Sequence, residues 1–192
     1  MTRDEHERRW PVVSRFVEVR SPWMSVIGER LQDETGKELD YWRVEKADSL
    51  LVIATQGDRL LLPKRAYRPG VGRVTLDLAG GRLKDPKLRS ATAREIVRRE
   101  FGLGGGDPFS SEQPLNDAGW DVDSSSSSQR LYGVLAELRP QVEIPVERVG
   151  ASYPATRLGG EDLLRPQRAR RSDALASLLS GEPLPGRLTC HA

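Results

Sequence analysis

LDLAGGRLKDPKLRSATAREIVRREFGL, Leu76 to Leu103, is the stretch around which this chain is organised. It opens with an apolar run that turns at Gly80-Gly81 and crosses a polar loop holding Asp85 and Pro86. From about Ala91 it reads as a helix that stops at Gly102. A glycine just past the last helical residue is a favoured C-cap, because the left-handed conformation costs glycine little. Ala93, Ile96, Val97 and Phe101 recur at helical spacing and mark the face that packs inward. Glu100 falls within that apolar arc, near a helix C-terminus where its charge is disfavoured, so it requires a partner or a function. Glu95 stands about 140° away around the helix and shares no face with it. It is expected to be a solvated carboxylate paired with Arg98 or Arg99.

Working outward, Leu50 to Thr55 (LLVIAT) reads as a buried strand turned at Gln56-Gly57-Asp58, with Arg59 to Pro63 returning and KRAYRPG following. A hairpin, then strand, glycines and helix, predicts a mixed sheet with helices rather than a doubly wound parallel sheet. Before it, Phe16 to Val19 alternates, SPWMSVIGERL continues as strand, DETGKE turns and LDYWRVEKA returns. This N-terminal β-hairpin, residues 14–46, holds too little apolar surface to stand free. After the helix comes GLGGGDPFSSEQPLNDAGWDVDSSSSSQ, in which Ser124 to Ser128 is expected to be a flexible low-complexity loop. Arg130 to Leu138 is another strand. VEIPVERV extends the sheet or forms its edge, since Pro145 disfavours a central position. The basic run Arg165, Arg168, Arg170 and Arg171 is expected to be a solvated face. A last helix, Ala174 to Leu179, has Ser172 or Asp173 as its cap. The expected divisions are a mobile tail over 1–13, the hairpin over 14–46, a main domain over 47–155, and a C-terminal helix and tail over 156–192.

The 192 residues fit one domain with a small appended element. Apolar residues, 37% of the chain, suffice for a core, and a formal charge of +2 argues against a nucleic-acid partner. The one cysteine, Cys190, allows neither an intramolecular disulfide framework nor a cysteine-based zinc site. The two histidines, His6 and His191, sit at opposite ends, which disfavours a histidine-based catalytic centre. With no long apolar stretch and no signal peptide, a cytoplasmic protein without membrane contact is expected.

The opening stretch resembles the Nudix box, G-x5-E-x7-R-E-U-x-E-E-x-G-U, in which U is a bulky aliphatic residue. Placing the first glycine on Gly81 and the last on Gly102 puts Glu100 on the final glutamate and Leu103 on the final aliphatic. In that register Lys87 occupies the first glutamate, Glu95-Ile96 the Arg-Glu pair and Arg99 the remaining glutamate. A second register keeps Arg94-Glu95 as the Arg-Glu pair and puts Arg98 and Arg99 on the two glutamates that follow. Neither restores the acidic cluster.

Over about residues 20 to 140 the chain resembles the ADP-ribose and nucleotide-sugar pyrophosphatase branch of that family. Tyr67-Arg68 matches its "YR", and Asp77 to Gly81 matches its E-L-P-A-G. The resemblance implies an α/β (α+β) fold: a Nudix-type α/β/α sandwich around a mixed β-sheet. The added N-terminal β-hairpin would be exchanged in a homodimer. It implies Mg2+-assisted attack of water on a diphosphate, with Glu100 and Glu95 as catalytic and metal-binding positions. Substrate contacts would come from Trp42 (with Trp23 a second counterpart) by base stacking, and from Arg68 and Gly81. Lys87 and Arg99 stand where carboxylates belong; they would repel Mg2+ yet pair directly with phosphate. The expectation is binding of a nucleoside diphosphate-type ligand with weak or no hydrolysis. One alternative is a Mg2+-dependent hydrolase of compounds such as ADP-ribose that recruits Asp85, Asp121 or Asp123 beside Glu95 and Glu100. A second is a purely structural or regulatory interaction protein.

Overall fold

The computed structural model describes residues 9–156. His6, Cys190, His191, the basic run Arg165 to Arg171 and the helix expected at Ala174 to Leu179 lie outside them. The described residues begin with β1 (Val12–Arg20), β2 (Met24–Gln32) and β3 (Glu38–Lys46), which form a three-stranded antiparallel sheet in that order. The expected hairpin over 14–46 is therefore a three-stranded meander starting at Val12. Ser21 closes an extra turn, its hydroxyl accepting from the N–H groups of Trp23 and Met24. That turn divides what the alternation alone joined into one strand. The DETGKE turn between β2 and β3 is where it was expected, with Gly36 at a φ of 84°.

Phe16 and Trp42 meet edge to face across the sheet with ring centroids 5.5 Å apart, and Phe16 lies over Gly28. The sheet also buries a charge. Glu29, only 3% exposed, receives Arg15 Nη2 at 2.8 Å and Arg43 Nη2 at 3.0 Å on one carboxylate oxygen.

The second sheet carries the core. β4 (Asp48–Gln56) and β5 (Arg59–Pro63) form the expected hairpin, with Gly57 at a φ of 57° in the turn. A small ribbon, β6 (Ala66–Arg68) with β7 (Arg73–Thr75), follows, and then β8 (Ala79–Leu83) pairs antiparallel with β4. Here the structure corrects the opening expectation. Gly80 and Gly81 do not turn; they are extended strand residues opposite Leu51 and Leu50. Their lack of a side chain permits close approach instead. A Cβ on Gly80 would come 2.8 Å from Leu51 Cδ2, and one on Gly81 3.1 Å from Ile96 Cδ1.

Asp85 then accepts from the Lys87 N–H at 2.9 Å, Pro86–Leu88 forms one 3-10 turn, and α1 runs Arg89–Phe101. The helix thus starts two residues before the expected Ala91, because Asp85 and Pro86 pre-organise its entry. It ends as expected, with Gly102 at a φ of 67° donating its N–H to Arg98 O. The predicted face, Ala93, Ile96, Val97 and Phe101, is buried against Leu50, Val52, Ala54 and Val134. Removing Phe101 from water contributes about 1.5–3 kcal/mol.

β9 (Phe109–Pro114), β10 (Trp120–Asp121) and β11 (Arg130–Leu138) follow, and β12 (Val149–Pro154) is the last strand among the described residues. β11 pairs parallel with β4 and antiparallel with β9, which makes the sheet mixed as expected. β9 was not foreseen, since Phe109 is its single buried residue and no alternation marks it. The edge strand is β12, paired with β5, rather than VEIPVERV. Residues 146–148 of that segment form a 3-10 turn instead. Among the described residues α1 is the one α-helix.

The serine run is also corrected. Rather than a free loop, it docks on the edge of β3: Val44 N–H donates to Ser126 O at 2.7 Å and Ser128 N–H to Val44 O at 3.1 Å. Asp123 organises it, accepting from Ser125 N–H at 3.2 Å and from the Ser125 hydroxyl at 2.7 Å. An aspartate that satisfies the amides two residues on makes a fixed turn from a sequence of low complexity. The run thereby ties the N-terminal sheet to the main one.

Candidate functional site

Because β8 lies alongside β4 with two glycines in the pairing, the backbone there is bare, and a cavity of about 560 Å³ opens beside it. Its apolar wall comes from Leu50, Leu51, Leu62, Leu76 and Leu78, and its polar wall from Ser49, Arg68, Asp77 and Arg82 with the Gly80-Gly81 backbone. Arg68 Nε donates to Asp77 Oδ2 at 2.8 Å, and the Thr75 hydroxyl donates to the same oxygen at 2.7 Å. Partial burial works against the Asp77 carboxylate, but these two donors outweigh it and hold its pKa below the ordinary value.

Of the residues singled out from sequence, Arg68 and Gly81 line this cavity. Arg99 reaches its backbone from α1. Its Nη2 donates to Gly80 O at 2.8 Å and to Glu100 Oε1 at 2.7 Å, and its Nε to the same Glu100 oxygen at 3.1 Å. Glu100 is thus half-buried and paired with its own neighbour. Glu95 is exposed on the helix with no ion pair among the described residues, so its expected pairing with Arg98 or Arg99 is not formed. Arg98 instead reaches the Gly106 carbonyl beyond the helix end. Glu95 and Glu100 are not brought together: α1 is regular, and nothing in it draws the carboxylates onto one face.

Lys87 sits exposed in the turn before α1, and Trp42 packs on Phe16 in the N-terminal sheet; neither lines the cavity. The aromatic near the cavity is Trp23, with the Arg82 guanidinium 5.1 Å from its ring centre. Arg82 was missed because Gly80-Gly81 was read as a turn. With β8 a strand, alternation around buried Leu83 puts Arg82 on the opposite face.

The possible replacement carboxylates are employed elsewhere. Asp85 caps the turn before α1, Asp123 organises the serine run, and Asp121 lies 3.9 Å from Arg130. Among the described residues no three His, Cys, Asp or Glu side chains gather to hold a metal ion. A carboxylate already committed to a guanidinium and a carbonyl capped by the same cation are a poor donor set for Mg2+, which demands several oxygens at octahedral positions. The described residues do not fit a resident Mg2+, and no step through one follows from them.

No family model matches the sequence, and no curated protein matches it. Among solved structures, the crystal structure of an ADP compounds hydrolase superimposes with a TM-score of 0.64. The two chains are 19% identical, over 82% of this chain and 84% of that one. The fold is Nudix-like. At that identity the likeness extends to the fold and does not carry over the roles of single residues. Among the described residues no helix is long and apolar enough to cross a membrane.

Proposed function

We propose that this protein binds a nucleoside diphosphate-type ligand in the cavity beside Gly80-Gly81 and hydrolyses it weakly or not at all. The observation that carries this reading is the wall of the cavity, where Arg68 and Arg82 stand beside five leucines, while Arg99 holds Glu100. Guanidinium groups match phosphate oxygens in charge and geometry, and apolar walls suit a base and sugar. A volume of about 560 Å³ lies within the range of roughly 300–1,000 Å³ usual for small-molecule sites. The structural neighbour, a hydrolase of ADP compounds, agrees with that ligand class. A homodimer built through the N-terminal sheet belongs to the same reading, supported by the exposed Val12, Val13, Phe16, Val19 and Trp42.

The test is calorimetric titration of ADP-ribose with and without Mg2+, beside an assay for AMP. Binding is expected to be indifferent to Mg2+ and to weaken with salt as phosphate pairing is screened. Rapid metal-dependent release of AMP, abolished by Glu100→Gln, would overturn the reading. So would the absence of any binding.

A further inference from the structure

The two cations that line the cavity are not equivalent. Arg68 is neutralised by Asp77 at 2.8 Å, whereas Arg82 has no carboxylate partner among the described residues. Its guanidinium rests instead against the ring of Trp23, 5.1 Å from the centroid. Trp23 is 67% exposed and lies at the turn between β1 and β2, so it belongs to the other sheet. An aromatic face orients a guanidinium without consuming its hydrogen-bond donors, which stay available in the plane of the group. A charge left unneutralised at the rim of a cavity, with its donors free of carboxylates among the described residues, is suited to take an anion.

We propose that Arg82 is the principal phosphate-binding residue of this cavity and that Trp23, contributed by the N-terminal sheet, positions it. The ligand chemistry is the diphosphate group. The inference rests on the nucleotide-binding reading only for the rest of the ligand, since a diphosphate alone meets the same guanidinium. Arg68 plays the lesser part, because any anion there competes with Asp77 for its donors.

The experiment compares ADP and inorganic pyrophosphate by calorimetry against the whole chain and four variants: Arg82→Gln, Trp23→Ala, Trp23→Phe and, as a remote charge control, Arg30→Gln. Arg30 pairs with Asp40 on the N-terminal sheet, away from the cavity lining. Loss of a charge-assisted hydrogen bond weakens binding about tenfold or more. Arg82→Gln is expected to lose that much for both ligands, while Arg30→Gln is unchanged. Trp23→Ala is expected to lose several-fold and Trp23→Phe to recover most of it, which a general unfolding of the turn would not produce. Thermal melting checks that each variant is folded, and Arg82→Ala, which also removes the charge, replaces Arg82→Gln if that variant is not.

Unchanged binding in Arg82→Gln, or an equal loss in Arg30→Gln, overturns the inference and leaves the nucleotide reading standing. Unchanged binding in Trp23→Ala overturns the positioning role. Pyrophosphate binding lost with Arg82, in a protein indifferent to ADP, supports the inference and overturns the nucleotide reading. Binding of neither ligand overturns both.

Discussion

Substituting Gly81 by alanine tests whether that residue is a turn or a point of close packing. In the structure its new Cβ would stand 3.1 Å from both Cδ1 and Cγ1 of Ile96, inside the ordinary contact range of 3.4–4 Å. Ile96 lies in the buried face of α1 and has little room to yield. Overpacking of this kind costs about 1–3 kcal/mol. Against it, alanine loses less chain entropy than glycine on folding, worth about 0.4–1 kcal/mol where φ is not positive, as at Gly81. The net expectation for Gly81→Ala is a destabilisation of about 0.5–2 kcal/mol.

Ile96→Val alone should cost about 0.5–1.5 kcal/mol, but it deletes Cδ1, one of the two crowding atoms. The double variant is therefore expected to be more stable than the sum of the singles by about 0.5–1 kcal/mol. Urea unfolding of the four proteins measures this. Gly57→Ala supplies the contrast: that glycine has a φ of 57° and nothing within 4 Å, so its cost should not depend on residue 96. Strict additivity of Gly81→Ala with Ile96→Val would refute the close-approach account of the β8 glycines.

Other outcomes follow from the same contacts. Glu29→Ala leaves Arg15 and Arg43 facing each other in the N-terminal sheet. Since both arginines are partly exposed, the loss is expected at about 1–3 kcal/mol rather than that of a fully buried pair. Hydrogen bonding from Arg43, then from Arg15, outweighs burial and lowers the Glu29 pKa from its ordinary 4.5. Its contribution is accordingly full above that value and lost as pH falls through the folded-state pKa, so acid unfolding of wild type and Glu29→Ala should converge. Asp123→Ala should release the serine run, seen as faster amide exchange at Ser125, Ser126 and Val44 while α1 keeps its protection. Arg99→Ala should change stability by less than about 1 kcal/mol in urea, because the Arg99 side chain is 60% exposed and its ion pair is screened.

Much of the frame was legible because it is written in local periodicity. The period of the α1 face, the Gly102 cap, the Gly57 turn and the strand at Arg130–Leu138 each follow from residues within a few positions of one another. The Gly80-Gly81 pair was not legible in the same way. Glycine serves both tight turns and close contacts, and only the neighbours Leu51 and Ile96, distant in sequence, decide which. Likewise the five serines look unstructured until Val44 offers them a strand edge.

By itself, the sequence determined that Glu95 and Glu100, five residues apart on a regular helix, cannot share a face. It also determined the core-facing side of α1, since burial follows the period of the apolar residues. Only the tertiary structure decided that Arg99 turns back on Glu100 and Gly80, that Asp77 neutralises Arg68, and that Trp23 from one sheet meets Arg82 from the other. Charge pairs and stacked rings join residues through space, and which cation remains free at the cavity depends on how strands far apart in the chain come to lie side by side.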